Sequence, residues 1–381
     1  MMFALLGCRR NTVVADETLP SGTGGSDSTS ESEGADTVTD SESDTGTDTL
    51  TDTDTGTDTG TDTGTDTGTD TGEACGVPSG FAWTSTDRIA PPTDYRAVKD
   101  PSAVWDEDQW LVFATSIDTY GGFNMVYFQF GDWSEADAAV KTPADTNGNL
   151  SGYKAAPQLF YFEPQNMWYL VYQSGDPSYS TSATPRDINS WSTMETFMTL
   201  PTDADGVPVE ANDYWVICDE LSCYLFFTAW DGNLYRAQTD KASFPSGFEG
   251  TTQIAIQETD KSLLFDAGSV YKMAGTNRYL LLAEALGASG RYVRSWTAES
   301  LDGEWTLLAG DADNAFASLS NASGVDWAAD GIAQGEIPRE NPDETMTVDP
   351  CYFQYLFSGL LEKEDTDSPD YYDIGLLQDA R

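Results

Sequence analysis

The chain contains no histidine in 381 residues. That absence excludes a Ser-His-Asp or Cys-His nucleophile and any zinc held by imidazole. Proton transfer, if there is any, falls to carboxylates, Tyr, Lys or Cys. Bases are scarce as well: 18 Lys and Arg stand against 64 Asp and Glu, for a net charge of −46. A polyanion of this strength repels nucleic acid and anionic lipid, so neither is expected as a partner. No apolar run reaches the ~18–20 residues of a membrane-spanning helix. Helical periodicity is almost missing; Ser134 to Val140 is the one stretch expected to form a short helix.

What is present divides the chain in two. From about Asn11 to Gly72 the residues are Thr, Asp, Gly, Ser and Glu, and Thr45 to Gly72 is largely a Thr-Asp-Thr-Gly repeat. With no aromatic residue, such a segment cannot offset the entropy of ordering, so residues 9–74 are expected to be a disordered, self-repelling acidic tether. The remainder is still acidic, with 47 acids against 16 bases. That charge reads as a soluble surface or as adaptation to saline or calcium-rich surroundings. Residues 1–8 end in Leu5-Leu6-Gly7-Cys8, which resembles the lipobox of a bacterial lipoprotein. Cys8 is therefore expected to carry lipid, with the protein extracellular or on the cell surface and touching the outer membrane only through that anchor. A complete signal peptide needs ~15–30 residues with a basic front, so the true start is expected to lie upstream.

Four further cysteines, Cys75, Cys218, Cys223 and Cys351, read as two disulfides in an exported chain. Three pairings are open. Cys218 and Cys223 are close enough for a hairpin clip, which favours Cys218–Cys223 with Cys75–Cys351.

Residues 75–381 alternate short apolar-aromatic runs with Gly, Asp, Asn and Pro turns, the pattern of an all-β domain. An aromatic followed by bulky apolar residues recurs at Trp110, Tyr169, Tyr224, Tyr279 and Tyr355, at spacings of 59, 55, 55 and 76 residues. Five copies at this period predict a five-bladed β-propeller, each blade a four-stranded sheet. A β-sandwich is the second choice. The longer last interval predicts an insertion around Asp311 to Gly335. In a propeller the first strand of each blade lines the central channel. Asp100, Asp213 and Asp266 precede their markers by 10, 11 and 13 residues, so they are expected to converge on one axis. Two carboxylates astride a glycosidic bond, with a third that shifts a neighbour's pKa, are the groups sugar hydrolysis needs. Nearby Trp and Tyr supply faces for sugar rings.

Several segments, in order from Cys75 to the C-terminus, resemble glycoside hydrolase family 62. They are Phe81–Thr86, Val98–Asp100, Gln158–Phe162, Tyr224–Phe227, Leu234–Ala237, Gly290–Ser295, Asn341–Thr347 and Asp349–Cys351. The resemblance, to a divergent bacterial member, implies an inverting α-L-arabinofuranosidase on a five-bladed propeller, acting on arabinoxylan or arabinan. It implies Asp100 as general base, Asp266 as general acid and Asp213 as the group that tunes the acid. It places Lys99, Tyr372, Gln334 and Glu336 at the substrate, and supports the Cys75–Cys351 bridge. No cofactor is implied; a structural calcium in the channel is allowed. The expected partner is an arabinose-decorated plant polysaccharide, and the blade count makes a monomer the default. Three positions depart from the family pattern: Asp266 replaces a Glu, Ser174 a Trp, and Gln334 a His beside a channel metal. Glu284 matches a further family segment and is expected to be structural, with a reserve role as acid. The departures leave a second reading, a carbohydrate-binding propeller without full catalytic competence.

Overall fold

The computed structural model describes residues 75–202, 205–361 and 371–381. The expected tether, the lipobox and Cys8 lie outside them. The described residues form five four-stranded antiparallel blades, the last two joined into one larger sheet through the parallel Arg291–Gly331 bridge. Blade I comprises Tyr95–Asp106, Gln109–Asp118, Phe123–Phe130 and Thr142–Pro143. Blade II comprises Ala155–Phe162, Met167–Ser174, Asp176–Ser182 and Glu195–Thr196. Blade III comprises Ala211–Cys218, Ser222–Ala229, Asn233–Asp240 and Gln253–Gln257, and blade IV Asp266–Met273, Arg278–Gly287, Gly290–Ala298 and Thr306–Ala309. Blade V takes Ala328–Glu336, Gln354–Leu361 and Tyr372–Asp379 from the C-terminal part, and its outer strand, Trp83–Ile89, from the start of the domain. That exchange closes the ring by pairing the domain's first strand with its last.

Each aromatic marker opens the second strand of its blade. Those strands are apolar without alternation because both of their faces are covered; Trp110–Ile117 is buried throughout. The ring order is stitched by side chains. Leu159 N–H donates to Ser102 Oγ at 2.9 Å between blades II and I, and Gln158 bonds the backbone of Val216 in blade III twice, at 2.7 Å each. Trp215 Nε1 donates to Val270 O at 2.9 Å, Ile337 N–H to the Tyr271 hydroxyl at 3.0 Å, and Asp100 N–H to Ser358 Oγ at 2.8 Å, which returns to blade I.

Residues 337–348 form a belt across the end of the channel opposite the strand starts. Their carbonyls accept from four first strands in turn: Trp105 N–H to Arg339 O at 2.8 Å, Tyr161 to Pro342 at 2.7 Å, Cys218 to Glu344 at 2.7 Å and Lys272 to Met346 at 3.1 Å. The expected insertion at Asp311–Gly335 is therefore corrected. Ala328–Glu336 is an innermost blade strand, and the extra length is divided between the loop before it and this belt. The expected helix at Ser134–Val140 is also corrected: only one turn of 3-10 helix forms, Trp133–Glu135, capped by the Asp132 side chain. Both disulfides form as Cys75–Cys351 and Cys218–Cys223.

Candidate active site

Every first strand carries one extra residue against its partner near the same end of the ring. The register slips between Lys99 and Ser102, Ala155 and Gln158, Asn212 and Trp215, Asp266 and Ser269, and Ala333 and Gly335. A bulge of this kind turns a side chain out of the pleat. At four of the five the backbone enters the left-handed region, with φ of 49° at Asp100, 48° at Ala156, 57° at Asp213 and 53° at Ala267. Asp100 and Asp213 are thus equivalent. Asp266 sits one position earlier in its bulge, in the place of Lys99 and Asn212. The bulges surround a pit lined by Asp100, Ala156, Asp213, Ala267 and Gln334.

Asp100 and Asp213 line this pit, and Asp266 lies beside it, hydrogen-bonded to Asp213. Asp100 is buried, with Lys99 Nζ at 3.3 Å from its Oδ2 and the Thr115 hydroxyl bonded to its carboxylate. Burial raises its pKa, Lys99 and Thr115 offset part of the rise, and Asp213 adds to it. Asp213 Oδ2 accepts from Ala267 N–H at 3.1 Å. Asp266 accepts from the Asn212 amide at Oδ1 and is hydrogen-bonded to Asp213. Burial, the Asp213 charge, that bond and Glu284 push the Asp266 carboxyl well above the ordinary range, with Lys99 opposing them. For Lys99, burial disfavours the ammonium, but Asp100, Tyr372, Asp266 and Asp213 together outweigh it and keep the amine protonated.

Tyr372 lies under Lys99, whose Nζ is 5.4 Å from the ring centroid. Gln334 lines the pit; its N–H donates to Glu284 Oε2 at 2.6 Å and its carbonyl accepts from Ser358 Oγ at 2.9 Å. Glu336 also lines the pit. It is 1% exposed, and its Oε1 accepts from Arg339 Nε and Nη2 at 3.0 and 2.8 Å. Glu284 is also 1% exposed, directly opposite Asp266 in the register, and held by Arg291 and the Gln334 amide. Both of its oxygens are engaged, by Arg291 and by the Gln334 N–H, which suits the structural role expected of it.

Calcium takes six to eight oxygen ligands. Among the described residues no three His, Cys, Asp or Glu side chains gather as a cation site. The lower channel offers Gln334 and a Glu336 already neutralised by Arg339, a donor set that does not fit the ion.

Sequence reading missed Thr115, Asn212, Ser358 and Arg291, which hold the aspartates or their supports. The signal for Asn212 was its place beside Asp213, matching Lys99 beside Asp100. Arg291 lies within the Gly290–Ser295 segment of the resemblance but was given no role there; Thr115 and Ser358 are polar residues inside apolar strands and carry no local signature.

The profile of glycosyl hydrolase family 62 matches residues 82–376. The chain is 39% identical over 312 residues to α-L-arabinofuranosidase C of Cellvibrio japonicus, covering 80% of this chain and 48% of that protein. It thus spans about half the length of that curated relative. Among solved structures, the catalytic domain of the Coprinopsis cinerea family-62 α-L-arabinofuranosidase superposes with a TM-score of 0.74 at 39% identity, covering 80% of this chain and 98% of that one. A family-62 hydrolase in complex with xylotriose superposes with a TM-score of 0.72 at 35% identity, covering 79% and 98%.

Proposed function

Because the chain belongs to glycosyl hydrolase family 62, we propose that it is an inverting α-L-arabinofuranosidase that removes arabinofuranose side groups from arabinoxylan or arabinan. The opposite company of two aspartates carries the reading. Asp100 is paired with an ammonium, which favours its ionised form; Asp266 faces the Asp213 and Glu284 carboxylates, which favour its protonated form. Environments that separate two carboxyls in this way assign base and acid. Asp100 takes a proton from water as its oxygen attacks the anomeric carbon. Asp266 gives its proton to the departing xylose oxygen, and Asp213 holds and tunes that acid. Lys99, Tyr372 and Gln334 line the sugar's position. The hydrolysis needs no cofactor.

We further propose an exported or cell-surface, lipid-anchored monomer. Two disulfides support export, and among the described residues no helix is long and apolar enough to cross a membrane.

Arabinose release from arabinoxylan tests the activity: wild type should exceed an Asp100→Ala control by at least ~1000-fold, since the base and the water it positions are both lost. Release no greater than the control ends the enzyme reading. One observation favours the second reading, a binding propeller without full catalytic competence: Asp266 is a methylene shorter than the family Glu and is drawn toward Asn212 and Asp213. A silent wild type that becomes active as Asp266→Glu would support it.

A further inference from the structure

We propose that Tyr153 is a sugar-stacking platform beside the pit, taking a pyranose ring of the β-1,4-linked polymer whose side group occupies the pit. The inference rests on the arabinofuranosidase reading and names a residue that sets its preference for polymer.

The placement comes from the chain itself. Tyr153 lies two residues before the first strand of blade II and three before Ala156, which lines the pit. Three residues span at most ~10 Å, so its backbone lies within that reach of the wall. The segment is tied to the catalytic side of the pit: Ala156 N–H donates at 2.7 Å to Thr115 Oγ1, the hydroxyl bonded to Asp100.

The side chain is 43% exposed at this position, in a fold that buries most of its aromatic rings. It is also held still. Its hydroxyl accepts from Gln173 Nε2 at 2.7 Å, and its carbonyl accepts from Ser174 Oγ at 2.9 Å. Asn124 Nδ2 braces the preceding turn through Leu150 O at 3.0 Å and Gly152 O at 2.6 Å. Phe123 supports the ring with centroids 6.2 Å apart. A half-exposed ring that is already ordered loses little entropy when a ligand lies on it. Its charge setting suits a neutral ligand. The adjacent Lys154 is buried, with its amine donating to Ser151 O at 2.7 Å and lying over the Tyr172 ring, so no cation competes at the surface. An aromatic face with a hydroxyl at one edge matches the apolar face and equatorial hydroxyls of a β-linked pyranose.

The experiment is calorimetric titration of an unsubstituted xylo-oligosaccharide into wild type, Tyr153→Ala and Tyr153→Phe, with arabinose release from arabinoxylan measured in parallel. Tyr153→Ala should weaken binding by on the order of 10-fold, while Tyr153→Phe, which keeps the ring, stays within about 2-fold of wild type. The ratio of kcat/KM on arabinoxylan to that on an aryl arabinofuranoside should fall with the binding. Equal binding by wild type and Tyr153→Ala overturns the platform. So does an equal loss in both variants, because the hydroxyl anchor and not the ring would then matter. Binding that depends on Tyr153 in a wild type that releases no arabinose overturns the hydrolase reading and leaves the platform standing.

Discussion

Glu284 shows how an anion can act without touching substrate. It sits opposite Asp266 with its oxygens fixed by Arg291 and the Gln334 amide, and its charge opposes ionisation of the proposed acid. The acid must be protonated, so the rate falls as pH rises through the pKa of Asp266; the base must be ionised, so it falls as pH drops through that of Asp100. Both are raised, so both limbs of the pH profile should lie above the ordinary carboxylate range. Removing the Glu284 charge lowers the pKa of Asp266. The alkaline limb of kcat/KM in Glu284→Gln should therefore move to lower pH by roughly one unit, as measured by initial rates across pH. A merely structural role would leave that limb in place. The same raised pKa has a stability consequence. The folded state holds a proton that the unfolded chain has released, so stability drops as pH rises through the window between the unfolded and folded values of Asp266. Asp266→Asn should abolish turnover yet raise Tm by about 1–3 °C at pH 8, read by calorimetry.

At the scale of strands, the bulges separate what could be read from sequence from what could not. Second strands were legible because burial on both faces makes them uninterrupted apolar runs headed by an aromatic residue. First strands were legible only beyond the bulge, where Leu159–Phe162, Trp215–Cys218 and Gly268–Met273 are strand-like apolar runs; the bulge breaks the period of two before them, and Ala155-Ala156-Pro157 carries no chemical signal. The convergence of Asp100, Asp213 and Asp266 was visible as similar offsets, but the one-position difference at Asp266 needed the register itself. The 337–348 belt was invisible because Asn341-Pro342-Asp343-Glu344 reads locally as a turn, and the hydrogen bonds that make it a belt run to distant strands. Its anchor is Arg339, 1% exposed, which bonds Glu336 and the Leu159 carbonyl and lies over the Trp215 ring. Arg339→Met leaves the Glu336 carboxylate buried and unpaired, so it should cost about 3–5 kcal/mol, measured by urea unfolding. The double variant with Glu336→Gln should lose less than the two single losses added, because each removes the other's penalty.

The whole ring is closed twice, by pairing of Trp83–Ile89 with Tyr372–Asp379 and by Cys75–Cys351, residues 276 apart. Cross-linking a loop of that length restricts the unfolded chain by ~5 kcal/mol on the loop-entropy account. Replacing both cysteines with Ser should lower Tm by roughly 8 °C in calorimetry. The pit, built at the bulges of the first strands, should still turn over arabinoxylan below that transition.

Because one short run of carbonyls touches the inner strands of blades I to IV in succession, it works as a gauge that fixes the spacing of the blades around the hub. Chain length there and aperture at the sugar end are coupled through the rigid strands between them. Lengthening the run between Arg339 and Met346 would put these contacts out of step, so the width of the pit depends on residues at the far side of the ring.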